Sequence, residues 1–92
     1  MNHLTPIHPG LVLQDELEEI GVSQSQLAAH IGVLPKTINE ICNTRRGISA
    51  MMAWKLSKSV GASPQFWMNL QNNWELSQID EIAFKGLEKV AA

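Results

Sequence analysis

The chain has little of what most enzymes, membrane proteins and secreted scaffolds depend on. It holds one cysteine in 92 residues, so no internal disulfide can form and a reducing compartment is expected. No apolar run approaches the roughly 20 residues that span a bilayer. No charged-then-apolar leader opens the sequence, which makes the cytoplasm the expected location and leaves no role for a membrane. His3, His8 and His30 have no metal-ligand spacing with one another or with Cys42, so neither a metal nor another cofactor is expected. There is no nucleophile–base arrangement, no phosphate-cradling glycine loop and no pocketed carboxylate pair, so nothing supports catalysis. Repeats and low-complexity stretches are missing too. With 45% apolar residues, the length suits one domain, 1–92, with a modest core rather than an enclosed cleft.

Net positive charge is also missing, the formal balance being −2. Taken as an average, that argues against nucleic acid; its distribution argues the other way. Five of the seven basic residues (Lys36, Arg45, Arg46, Lys55, Lys58) fall between positions 36 and 58, where only Glu40 opposes them. Asp15, Glu16, Glu18 and Glu19 crowd the first predicted helix, and Glu75, Asp80, Glu81 and Glu88 lie towards the C-terminus. A chain polarised in this way can offer a basic face to phosphates and acidic faces elsewhere.

What is present is helical periodicity with clear punctuation. The spacing predicts an all-α fold of five helices. The first covers 9–20, with Leu13, Leu17 and Ile20 on one face and Gly21 as its stop. The second covers 24–31 and the third 35–43. The fourth is capped by Ser49, buries Ala53, Leu56 and Val60, and stops at Gly61. The fifth opens with Ser63-Pro64 and carries Phe66, Trp67, Leu70 and Trp74. Residues 78–90 are weakly amphipathic (Ile79, Ile82, Ala83, Leu87, Val90), which leaves either a short sixth helix or a frayed end. Residues 8–76 form the expected core of the domain, and 77–92 a C-terminal extension.

Residues 22–48 have the spacing of a helix-turn-helix. Ser23 and Gln26 form an S-x-x-Q capping box. Leu27, Ala28 and Ile31 share one face, and Ala28 is small enough to let two helices cross closely. Gly32 supplies the sharp turn, Val33 closes it, and Pro35 suits a first helical position before inward-facing Ile38 and Ile41. Lys36, Thr37, Asn39 and Glu40 are then the candidates for base edges in a major groove: Asn suits adenine, Lys guanine, Glu the cytosine amino group, and the Thr methyl thymine. Ser23 and Gln24, at the positive end of the second helix, and Asn43, Arg45 and Arg46, after the third, are the phosphate candidates. Cys42 shares a face with Ile38 and Ile41 and is expected to be a small buried hydrophobe. Lys55 and Lys58 fit a solvated helix face. Trp67 and Trp74, one heptad apart with Leu70 between them, read as a core stripe. A domain this small rarely encloses two such side chains, so helix five also offers a dimer surface built from Phe66, Trp67, Leu70 and Trp74.

With these residues in place, the chain resembles the HigA-type antitoxins, a branch of the phage-repressor-like (XRE) helix-turn-helix family, over about residues 7–78. The resemblance is carried by Ile7-His8-Pro9-Gly10, Asn39-Glu40-Ile41, Arg45-Arg46-Gly47-Ile48-Ser49-Ala50 and, most specifically, the run Ser63-Pro64-Gln65-Phe66-Trp67-Met68-Asn69-Leu70-Gln71. It implies a homodimer that binds a palindromic operator in double-stranded DNA, represses its own operon and neutralises a HigB-type toxin, a small RelE-like mRNA endonuclease. The acidic residues Asp15, Glu16, Glu18 and Glu19 are the candidate surface for such a basic toxin, against a plain solvated face. The alternative is a solitary phage-type repressor without a toxin. A short basic reading frame immediately upstream separates the two. Two departures from the family pattern carry physical consequences. Leu34 replaces the usual hydroxyl cap of the recognition helix, a loss of about 1 kcal/mol. Thr44 stands where glycine is common, so the loop after it is expected to take another path.

Overall fold

Four of the five helices begin at a side chain able to take up an orphan amide, and that punctuation sets the architecture. The computed structural model describes residues 6–91; His3 lies outside them. The helices are α1 (Pro9–Ile20), α2 (Gln24–Ile31), α3 (Pro35–Cys42), α4 (Ala50–Ser59) and α5 (Pro64–Ser77). His8, Ser23, Ser49 and Ser63 each accept a first-turn N–H at the start of α1, α2, α4 and α5. At Ser23 the capping box closes in both directions. Leu34 gives α3 no side-chain cap, as its apolar side chain requires. Gly21 and Gly32 end α1 and α2 with φ of 72° and 75°, the left-handed turn that glycine makes without a Cβ penalty.

The order of packing follows from which faces are apolar. α1 lies against α3 and α5, α2 against α3 and α4, and α4 against α5. Leu13, Leu17, Leu27, Ala28, Ile38, Ile41, Cys42, Ile48, Met52, Ala53, Leu56 and Trp67 form one buried cluster. Ala28 is fully enclosed where α2 crosses its neighbours, and burial raises the pKa of the Cys42 thiol. Gly10 marks the closest approach among the glycines, because a Cβ there would run into the carbonyl of Ile41 at the end of α3. The start of the first helix and the end of the third are thereby locked together.

One expectation needs correction, and one open alternative is settled. Ile20 does not join the core face of α1; it is half exposed at the helix end. The C-terminal segment forms no sixth α-helix, only a single 3-10 turn over Glu81–Phe84. Ile79, Ile82, Phe84, Leu87 and Val90 are all exposed. An amphipathic stretch this short needs a surface to pack on, since isolated helices of its length are marginal in water.

Candidate nucleic-acid interface

The sequence PKTINEIC divides α3 cleanly. Ile38, Ile41 and Cys42 are buried, whereas Lys36 and Asn39 are exposed and Thr37 and Glu40 are half-buried. The polar side of the helix therefore faces outward, with Lys36 and Asn39 open to solvent. Beside it stand Ser23 and Gln24 at the start of α2. Ser23 spends its backbone N–H on Gln26 Oε1 at 2.8 Å and accepts the Gln26 N–H at 3.0 Å. Its hydroxyl proton and the first-turn amides of Gln24 and Ser25 are what this end offers an anion.

The side chains on this face are joined end to end. Asn43 Nδ2 donates to Asn39 Oδ1 at 3.2 Å, and Asn39 Nδ2 donates to Gln24 Oε1 at 3.3 Å. Gln24 Nε2 in turn donates to Gln14 Oε1 on α1 at 3.2 Å. Three predicted base or phosphate candidates, Gln24, Asn39 and Asn43, thus join the start of α2, the polar side of α3 and the loop after it in one continuous patch.

Glu40 and Arg46 also meet, which the sequence did not disclose. Arg46 Nη2 and Nε lie 2.8 and 2.9 Å from Glu40 Oε1. The hydrogen bond from Arg46, reinforced by the charges of Arg46, Lys36 and Arg45, lowers the Glu40 pKa. A guanidinium has five donors, so Arg46 keeps three N–H groups beyond the two directed at Glu40. Arg45 is exposed, with its backbone N–H bound to the Glu40 carbonyl at 2.8 Å.

The loop carrying the arginines is held from behind by two buried polar side chains to which the sequence motifs assigned no role at the site. His8, only 2% exposed, accepts the Gly10 N–H on Nδ1 at 2.8 Å and stands edge-on to Trp74 at 5.4 Å. Burial lowers its pKa, opposed by a hydrogen bond with the Arg46 backbone. Because Nδ1 accepts an N–H it carries no proton itself, which places the ring's proton on the other nitrogen. Gln71, 4% exposed, accepts the Ile48 N–H at 2.8 Å and donates to Glu75 at 2.7 Å. Gly47 presses on it so closely that a Cβ there would sit 2.6 Å from its amide nitrogen. The available signals were a histidine just before the N1 proline and a glutamine four residues after Trp67 on the apolar stripe. Thr44 adopts φ 60°, a left-handed conformation that glycine takes without strain and a β-branched residue does not.

On α5, Trp67 is 1% exposed and its indole N–H is bound to the Gly61 carbonyl at 2.9 Å. A side chain so enclosed has no surface to give a second chain, which removes it from the dimer candidates. Phe66 is exposed and Leu70 and Trp74 are half-buried. Asp15, Glu16, Glu18 and Glu19 line the exposed side of α1. Trp54 is more than half exposed, with the Lys58 ammonium 5.9 Å from its ring centre. Among the described residues no group of histidine, cysteine or carboxylate side chains is arranged to hold a metal, and no helix is long and apolar enough to cross a membrane.

Residues 13–67 match the helix-turn-helix family. Antitoxin HigA of Pseudomonas aeruginosa, solved with the higBA promoter, is 41% identical and superimposes with a TM-score of 0.79 over 95% of this chain and 97% of that one. The chain belongs to the HigA-type branch of the helix-turn-helix family. A HigA-family addiction-module antidote protein from Coxiella burnetii is 34% identical, with a TM-score of 0.81 over 97% and 98% of the two chains. Virulence-associated protein A' of Dichelobacter nodosus is 43% identical over 77 residues, covering 83% of this chain and 67% of that protein. This HigA-type chain is thus a helix-turn-helix protein of an antitoxin family, a class of DNA-binding regulators and not of enzymes.

Proposed function

We propose that this HigA-type chain is a cytoplasmic, sequence-specific DNA-binding antitoxin that represses its own toxin–antitoxin operon and neutralises a HigB/RelE-like mRNA endonuclease. The observation that carries the DNA half is the outward polar side of α3, with Lys36 and Asn39 open to solvent, continuous with Gln24 on one flank and Asn43, Arg45 and Arg46 on the other. Lys36, Thr37 and Asn39 take base edges, with Glu40 steering Arg46. Ser23, Gln24, Asn43, Arg45 and Arg46 take phosphates. The net charge of −2 makes the affinity modest, and the phosphate contacts make it salt-sensitive.

A palindromic operator calls for two copies with half-sites one helical turn, about 34 Å, apart. Phe66, Leu70 and Trp74 on α5, with the exposed Leu76, Ile79 and Ile82 that follow, form the apolar surface through which the second copy associates. The toxin meets the acidic side of α1 at Asp15, Glu16, Glu18 and Glu19, opposite in charge to a basic nuclease.

A gel shift with the DNA upstream of the chain's own gene tests the reading. A shifted band at low salt that is lost on raising salt is the expected result. Absence of a shift at low salt, even with the toxin added, removes it. For the toxin surface, reversing the four α1 charges is expected to abolish co-purification with the small basic neighbour.

A further inference from the structure

We propose that Gln14, on α1, is a positioning residue for base selection: acting through Gln24, it fixes the direction in which Asn39 presents its amide to DNA. The proposal rests on the reading of α3 as the element that enters the groove.

The polar side chains of this face form a chain that runs in one sense. Asn43 Nδ2 donates to Asn39 Oδ1, Asn39 Nδ2 to Gln24 Oε1, Gln24 Nε2 to Gln14 Oε1, and Gln14 Nε2 to Glu18 Oε2 at 3.4 Å. An amide can face either way, because it has a donor end and an acceptor end. An ionised carboxylate can only accept. Glu18 therefore decides the sense of the whole series: Gln14 must turn its nitrogen to Glu18 and its oxygen to Gln24. That choice is passed to Gln24 and then to Asn39. Gln14 is half-buried and sits ten residues before Gln24, on a helix that itself stays off the reading face.

The consequence lies in what Asn39 has left. Its amide owns two N–H donors and two carbonyl lone pairs; the chain spends one of each, on Gln24 and Asn43. One donor and one acceptor remain, in a fixed order along the side chain. Adenine alone offers the matching acceptor and donor, N7 and the N6 amino group, on its major-groove edge. Gln14 thus stabilises the one amide orientation in which Asn39 selects adenine, without touching DNA itself.

A purely structural role for Gln14 and a positioning role order its variants oppositely. Leucine keeps the volume and loses the acceptor, whereas glutamate keeps an acceptor for Gln24 and adds charge. Lysine can only donate, so it faces Gln24 with the wrong polarity. The experiment selects bound duplexes from a randomised double-stranded DNA library with wild type, Asn39→Ala, Gln14→Leu, Gln14→Glu and Gln14→Lys, at matched fractions bound, with melting curves to certify folding. The position relaxed by Asn39→Ala marks where Asn39 reads. Wild type is expected to prefer adenine there. Gln14→Leu and Gln14→Lys are expected to weaken that preference about two- to tenfold, the worth of one ordinary hydrogen bond, leaving other positions unchanged, while Gln14→Glu retains it. Preference unchanged in Gln14→Leu, or lost equally in all three Gln14 variants, overturns the proposal. Should Gln14→Leu fail to fold, the Glu–Lys contrast decides. Wild type that selects no sequence removes the DNA reading, and this proposal with it; a selective wild type with an indifferent Gln14 removes only the proposal.

Discussion

Residues 43–47 and 78–91 are both exposed and outside the α-helices, yet only the first is held by buried polar side chains. Behind the arginine loop, His8 and Gln71 each bury a polar side chain to hold loop backbone, and Gly10 and Gly47 let neighbouring atoms close up where any Cβ would collide. The C-terminal stretch has more apolar side chains, but they stay exposed, and Gly86 has no atom within 4 Å of where a Cβ would stand. Hydrophobic residues by themselves do not order a segment. What orders this loop is specific polar satisfaction against elements already packed.

The strongest way to break that contrast is to add one methyl group to each region. Gly10→Ala forces a Cβ onto the Ile41 backbone and is expected to cost about 3 kcal/mol, at the upper end of overpacking effects. Gly86→Ala is expected to stay within about 0.5 kcal/mol of wild type. Thermal melts of both variants check this, and equal effects would erase the distinction. Next in size is Gln71→Leu. It leaves the Ile48 N–H without its buried partner and is expected to cost about 1–3 kcal/mol. For a domain of this size each kcal/mol lowers Tm by roughly 4–8 °C, and Arg45 and Arg46 should lose DNA affinity beyond the stability loss.

Thr44→Gly sharpens the comparison from the opposite direction. A β-branched residue at φ 60° carries left-handed strain, so the glycine variant is expected to gain about 1 kcal/mol, read as a raised denaturation midpoint. The smallest effect concerns pH. Burial keeps the His8 pKa below its ordinary value of 6.5, so the unfolded chain takes up a proton first. Stability is complete above about pH 6.5 and declines as pH falls below it. His8→Asn, which still offers a cap oxygen, is expected to flatten that decline. Denaturation midpoints between pH 7 and pH 5 measure the slope in each protein.

The local punctuation of the fold could be read from the sequence because its causes are local. Ser23 with Gln26, Ser63 with Pro64, and Gly21 and Gly32 each act within a few residues, so residue type and spacing reveal them. The inward face of α3 was equally plain from Ile38 and Ile41. What stayed hidden depends on distance along the chain. Gln71 serves Ile48 from 23 positions away, and His8 reaches Trp74 and the Arg46 backbone only after α1, α3 and α5 have packed. The Glu40–Arg46 pair joins a helix to a turn, where no periodicity applies. Trp67 and Trp74 looked alike in the heptad pattern, yet one is sealed and the other half-buried, because burial depends on what packs opposite.

The most direct measurement is a titration of isotopically labelled protein with a duplex from the region upstream of its own gene, followed by backbone and side-chain amide NMR shifts. The expected shifts lie on Lys36, Thr37 and Asn39, the side-chain amides of Gln24 and Asn43, and the Arg45–Arg46 loop. Shifts confined to the acidic side of α1 or to residues 78–91, with α3 unmoved, would contradict the placement of α3 in the groove.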